Sequence, residues 1–77
     1  MPITLAELDR GQRAHIVELR LHGLERRRLM DLGFTPGTEV EVAMKAASGD
    51  PIAFVVRNTQ IALRKQQAEN IIVEPIS

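Results

Sequence analysis

The number of short strand-like segments in a chain of only 77 residues constrains the fold more than any other feature. Five segments either concentrate β-branched and apolar residues or alternate apolar with polar ones, as strands do. They cover residues 13–21, 38–44, 52–56, 60–64 and 71–73. Five short strands are too few for two packed sheets, whereas a strongly bent antiparallel barrel hides its strand edges around one core. The sequence therefore predicts a mainly β protein built as a small barrel.

One helix is predicted between the first two of these strands. Residues 23–32 contain good helix formers and no β-branched residue, Gly33 is placed to end the helix, and Pro36 prevents its continuation. Short helical turns are predicted near residues 4–8 and 65–70. The complete fold prediction is an SH3-like antiparallel barrel of about five strands with one inserted α-helix.

The leucines of the helix predict which of its faces packs on the barrel. At about 100° per residue, Leu24, Leu29 and Leu32 share one face. We expect Leu29 and Leu32 to dock the helix. Arg28 falls within the same stripe, where its charge must reach solvent or find a partner. Met30 lies away from the stripe, so we expect it to be exposed.

Two turns follow from residue type. Residues 35–38 place Pro36 and Gly37 at the central positions of a type II turn. Asn58 tolerates the left-handed conformation that a tight hairpin requires. Phe34, between the helix and the first of these turns, is expected to fill the core.

Composition narrows the function classes. The chain has no Cys, which excludes a disulfide scaffold, a thiolate metal site and a Cys nucleophile. Ten basic and ten acidic residues leave no net charge, and aromatic residues are scarce, so nucleic-acid binding is disfavoured. No apolar run is long enough to span a membrane and no signal-peptide pattern is present, so we expect no direct membrane insertion. One cytosolic domain covering residues 1–77 is expected.

Candidate catalytic and metal-binding residues are few. His15 and His22 are the only imidazoles, and a weak site shared by His22 with Glu18 or Glu25 is the one alternative, although nothing in the spacing is diagnostic of a metal site. No metalloprotease, phosphate-loop or dinucleotide-binding motif is present, and Glu39 and Glu41 are typical of a solvated strand face. The sequence predicts no catalytic residue, no metal site and no cofactor.

The triplet Arg26, Arg27 and Arg28 is the most distinctive local feature. Arginine forks bind carboxylates or phosphates through two parallel hydrogen bonds, so the triplet is typical of a surface that contacts a partner. The alternative is a solvated helix face held by Glu25–Arg28 and Arg27–Asp31 ion pairs one turn apart.

An exposed methionine next to the triplet would form a small mixed apolar and charged patch, as interfaces do. The residues predicted to contact a partner are Arg26, Arg27, Met30 and Asp31, with Asp50 as a more distant candidate. From the residues alone, the chain is a binding module.

Three sequence blocks in order resemble one known family. They are RRLMDLGFTPG from Arg27 to Gly37, GDPI from Gly49 to Ile52, and IALRKQQAENI from Ile61 to Ile71. The chain resembles the FeoA family of bacterial ferrous-iron transport accessory proteins over nearly its whole length. The family commonly has Gly where this chain has Asn58, and Asn is the usual substitute in the left-handed region.

The resemblance implies an SH3-like barrel in the cytosol, a role beside the membrane transporter FeoB, and recruitment to the inner face of the plasma membrane. The expected partner is the cytosolic G-protein domain or the pore region of that transporter, with the chain itself a monomer or a weak homo-oligomer. The structural residues of the family motif are Arg28, Leu29, Leu32, Gly33, Phe34, Pro36 and Gly37.

Three hypotheses for function follow. The leading one is a non-enzymatic adaptor that binds and modulates a ferrous-iron transporter. The second is a metal-responsive regulatory module, because the family is similar in fold to the C-terminal domains of iron- and manganese-dependent repressors. The third is a nucleic-acid-binding SH3-like domain, which the zero net charge disfavours.

Overall fold

The computed structural model describes residues 1–76, in which six strands, two α-helices and one 3₁₀ turn follow each other. The elements are β1 (Ile3–Thr4), the 3₁₀ turn (Leu5–Glu7), β2 (Arg13–Leu19), α1 (Gly23–Asp31), β3 (Glu39–Lys45), β4 (Ile52–Val56), β5 (Thr59–Leu63), α2 (Lys65–Ala68) and β6 (Ile71–Pro75). All five predicted strands, the helix and both helical turns are confirmed in this order. Strand β1 was not predicted, because two residues are too few to show a periodicity.

The strands form one antiparallel sheet in the order β1-β6-β2-β3-β4-β5. Register shifts interrupt β2 between Ile16 and Glu18 and β3 between Val42 and Met44. Such bulges bend a strand and increase its twist. Apolar side chains of β2, β3, β4, β5 and β6 all enter a single buried cluster. The prediction of a small SH3-like barrel around one core is therefore confirmed.

Two phenylalanines form the centre of the core. Phe34 and Phe54 are both fully buried, and their rings meet edge to face with centroids 6.3 Å apart and planes at 88°. This arrangement places the positive edge of one ring against the negative face of the other. The prediction that Phe34 fills the core is confirmed.

The end of α1 is held by backbone hydrogen bonds. Gly33 adopts a φ of +113° and donates its N–H to the carbonyl of Met30, at 3.0 Å. Phe34 donates its N–H to the carbonyl of Leu29, also at 3.0 Å. These two bonds form a Schellman motif, in which glycine is favoured because the left-handed conformation has no side-chain penalty. The predicted stop at Gly33 is confirmed.

The two predicted turns are also present. Gly37 has a φ of +89°, and the N–H of Thr38 donates to the carbonyl of Thr35 at 3.0 Å, as a type II turn requires. In the hairpin between β4 and β5, both Arg57 and Asn58 have positive φ, 50° and 62°. Two such residues in succession are typical of a type I′ hairpin. Asn58 was expected there, whereas Arg57 was not.

Candidate functional site

Two histidines are the candidate metal ligands of the sequence. His15 and His22 are both exposed. Within residues 1–76, no three His, Asp or Glu side chains are grouped so that they could hold a metal ion. In the same range, no helix has the length and apolar character needed to cross a membrane.

Helix α1 has one side on the barrel and one side in solvent, but the residues on each side differ from the prediction. Leu29 is 2% exposed, and Met30 is half-buried against the core. Leu24 is 81% exposed and Leu32 is 43% exposed. The predictions that Leu32 docks the helix and that Met30 is exposed are therefore wrong. Arg28 reaches solvent because its stripe faces outward.

The end of the helix determines this orientation. In a Schellman motif the residue after the glycine commonly packs on the residue whose carbonyl it bonds, so buried Phe34 favours placing Leu29 on the barrel side of the helix. Leu24 precedes Leu29 by five positions and lies about 140° away from it around the helix axis. Within α1, Leu29 and Met30 are the apolar side chains that pack on the core.

The outward side of α1 forms a shallow groove of about 350 Å³, called the helix groove below. It is lined by Leu24, Arg27, Arg28, Asp31 and Leu32. Of the predicted partner residues, Arg27 and Asp31 are among this lining. Arg26 is exposed on the same helix outside the lining, and Met30 lies beneath the surface. Sequence reasoning missed Leu24 and Leu32 as surface residues. The sequence signal for their exposure was their spacing: each lies four residues from Arg28, on the same side of the helix as this charged residue.

The arginines of the helix groove form no ion pair among residues 1–76. The ion pairs within residues 1–76 are Arg13–Glu39 at 3.3 Å, Arg20–Glu18 at 3.6 Å and Arg64–Asp50 at 3.4 Å. The Glu25–Arg28 and Arg27–Asp31 pairs considered from the sequence are absent. Glu25 instead accepts a hydrogen bond from the side-chain amide of Gln67 at 3.3 Å. The guanidinium groups of Arg27 and Arg28 therefore face solvent.

Asp50, the more distant candidate, makes contacts within the domain. Its Oδ1 accepts the backbone N–H of Lys65 at 3.0 Å, and its Oδ2 lies 3.4 Å from Nη2 of Arg64. These bonds attach the loop between β3 and β4 to the first turn of α2. The sequence did not predict this contact, because the bonded residues are 15 positions apart.

A second groove of about 380 Å³ lies where β3 begins and β4 ends. Its lining residues are Thr38, Glu39, Glu41, Val55, Arg57 and Asn58. Glu39 is already paired with Arg13, and the single apolar residue, Val55, is half-buried. The helix groove, with two exposed leucines and two solvent-facing arginines, is therefore the stronger candidate for a binding surface.

The FeoA domain family model matches residues 3–75 of the chain. A curated relative from Porphyromonas gingivalis (strain ATCC BAA-308 / W83), described as a fusion of Fe(2+) transport protein A with the Fe(2+) transporter FeoB, is 34% identical over 73 residues. That alignment covers 95% of this chain and 9% of the fusion protein. The chain thus spans less than a tenth of the curated relative that it matches.

Solved structures agree with the family match. The solution structure of a FeoA protein from Chlorobium tepidum is 35% identical, with a TM-score of 0.92, and the match covers 97% of this chain and 71% of that one. A Stenotrophomonas maltophilia FeoA complexed with zinc, described as an SH3 domain protein, is 34% identical with a TM-score of 0.81, covering 94% and 89%.

A manganese-dependent transcriptional repressor also shares the fold. It is 13% identical, with a TM-score of 0.86, and the match covers 97% of this chain and 42% of the repressor. At this identity the likeness shows the fold alone. The expected similarity in fold to metal-dependent repressors is confirmed.

Proposed function

The chain belongs to the FeoA family, and we propose that it is a non-enzymatic accessory protein of ferrous-iron uptake that binds a FeoB-type transporter and modulates its activity. The observation that carries this proposal is the Porphyromonas gingivalis relative, in which a homologous segment is fused to FeoB. Fusion keeps two domains at high effective concentration, which favours pairs that act together. The same contact is proposed between this chain and a FeoB-type transporter.

The contact is proposed to involve the cytosolic G-protein domain or the pore region of the transporter. In either case the protein acts in the cytoplasm and reaches the inner face of the plasma membrane through its partner. Between transporter contacts it is a monomer or a weak homo-oligomer. Iron is then the cargo of the transporter, and the accessory protein acts without holding it.

On the accessory protein, the contact surface is the outward side of α1. Arg27 and Asp31 line the helix groove, Arg26 is exposed elsewhere on the same helix, and half-buried Met30 contributes mainly to the core. Exposed arginines next to apolar side chains are typical of interface centres, where a few residues supply most of the binding free energy.

The first experiment is direct binding. The purified chain is passed over the immobilised cytosolic domain of the transporter, and over the full-length transporter in detergent, without nucleotide, with GDP and with a non-hydrolysable GTP analogue. Binding to at least one of these forms is expected. Absence of binding to every form would refute the proposal.

A second experiment locates the surface. Arg26→Glu and Arg27→Glu, made separately, are expected to weaken binding without unfolding the domain. Arg10→Glu is the matched control, because Arg10 is an exposed arginine outside α1. If all three variants bind like the wild type, the transporter contacts another surface.

A further inference from the structure

The apolar part of the helix groove has a defined length. Leu24 and Leu32 stand at its two ends, eight residues apart, with Arg28 midway between them. At 1.5 Å per residue this separation is about 12 Å, which matches two turns of a helix or three to four residues of an extended segment. The fold does not need a leucine at position 24, since that side chain is 81% exposed.

The charged residues are unevenly distributed along the helix groove. Arg27 and Arg28 provide two guanidinium groups that have no carboxylate within ion-pair distance among residues 1–76. Asp31 lies next to Leu32, at the C-terminal end of the groove. The two positive charges therefore lie near the middle of the groove, and the one negative charge of its lining lies toward the C-terminal end. Arginine forks of this kind bind carboxylates by paired hydrogen bonds.

We propose that the occupant of the helix groove is an acidic segment of the transporter that carries an aliphatic side chain. The aliphatic group lies between Leu24 and Leu32, and carboxylates of the segment bind Arg27 and Arg28. This inference rests on the proposed function and specifies the partner's chemistry. Charge complementarity and the paired leucines together select such a segment over a purely apolar or a basic one.

A membrane surface is a poorer match for the same residues. Helices that lie on anionic bilayers have a basic polar face with few carboxylates, because each basic residue near the surface is attracted to the lipid headgroups. Here Asp31 lines the groove and Glu25 lies on the same helix, and the whole chain has zero net charge. A protein segment can place its carboxylates away from Asp31, whereas a uniformly anionic membrane surface cannot.

The test measures the affinity of the transporter's cytosolic portion for four variants at two salt concentrations. Arg28→Glu is expected to weaken binding at least about tenfold and to reduce its salt dependence. Leu24→Gln is expected to weaken binding about three- to tenfold while the salt dependence stays that of the wild type. Arg10→Glu and Met44→Gln are the matched controls, since both positions are exposed and lie outside α1, and they should bind within about twofold of the wild type.

The outcomes distinguish the inferred chemistry of the occupant from the proposed function. If the wild type binds and Leu24→Gln and Arg28→Glu bind equally well, the assignment of an acidic aliphatic segment is overturned and the proposed function stands. If the wild type does not bind, both the proposed function and this inference are refuted.

Sedimentation with phosphatidylcholine vesicles containing phosphatidylglycerol tests whether the helix groove binds lipid instead. The wild type should stay in the supernatant. Co-sedimentation that is lost in Arg28→Glu would show that the groove binds lipid and would overturn the inference.

Discussion

The aliphatic stem of Arg57 packs against Gly33. A β-carbon added at Gly33 would lie 3.1 Å from Cδ of Arg57 and 3.3 Å from Cγ2 of Val56. Arg57 also donates a hydrogen bond from Nη2 to Oγ1 of Thr35, at 3.3 Å. The turn that ends α1 is thus packed on the hairpin between β4 and β5, and this contact helps to hold the helix in its orientation on the barrel.

Replacing Gly33 by alanine is expected to be costly for two reasons. The residue has a φ of +113°, and its β-carbon would press on Arg57 and Val56. We expect Gly33→Ala to lower the free energy of unfolding by about 2 to 3 kcal/mol in urea denaturation. Gly11→Ala is the control, because Gly11 has a φ of +87° with no atom within 4 Å of the added carbon. Its loss should be about 1 kcal/mol. Equal losses would mean that the contact with Arg57 contributes nothing.

The edge-to-face pair at the centre of the core predicts a measurable coupling. Phe34→Leu and Phe54→Leu should each lower the free energy of unfolding by about 1 to 2 kcal/mol. Because the rings interact with each other, the double variant should lose less than the sum of the two, by about 0.5 to 1.5 kcal/mol. Chemical denaturation of the wild type and the three variants completes the cycle. Strict additivity would contradict a direct interaction between the rings.

The two sides of α1 should respond differently to the same substitution. Leu29→Ala removes a buried side chain and should cost about 2 to 5 kcal/mol. Leu24→Ala shortens an 81% exposed side chain and should change the free energy of unfolding by less than about 0.5 kcal/mol. Thermal or urea unfolding measures both. A large loss for Leu24→Ala would show that this leucine packs on the domain, and the helix groove would then not be a free surface.

The bonds of Asp50 can be separated by two substitutions. Asp50→Ala removes both the bond to the N–H of Lys65 and the ion pair with Arg64, so we expect a loss of about 1 kcal/mol. Asp50→Asn keeps a side-chain oxygen for the N–H of Lys65 and loses only the exposed ion pair, so its loss should stay below about 0.5 kcal/mol. Equal losses for the two variants, compared by urea denaturation, would assign the effect to the ion pair.

Local signals were sufficient for most of the fold. Alternation and β-branched residues located five strands, and the pair Pro36 and Gly37 located a turn, because these preferences depend on a few neighbouring atoms. Gly33 marked the end of the helix for the same reason. Strand β1 has no periodicity of its own and exists through its pairing with β6, in which Ile3 lies opposite Val73.

The candidate site was predicted only in part. The arginine triplet directed attention to α1, and Arg27 and Asp31 do line the helix groove. The assignment of Met30 to the surface failed because a helix of nine residues carries too few apolar side chains to define one face. The role of Asp50 was equally hidden, since the residues it bonds are distant in sequence.

By itself, the sequence determined that the chain is a small β barrel with one inserted helix, and that it has no thiol chemistry. Those properties follow from residue types and short-range spacing. The tertiary structure alone decided which side of α1 meets solvent. Phe34 enters the core three residues after the helix ends, and the Schellman motif favours placing Leu29 on the same side as this ring. The stripe from Leu24 to Leu32 is left outside, because the rotation of a short helix is set by the contacts at its ends.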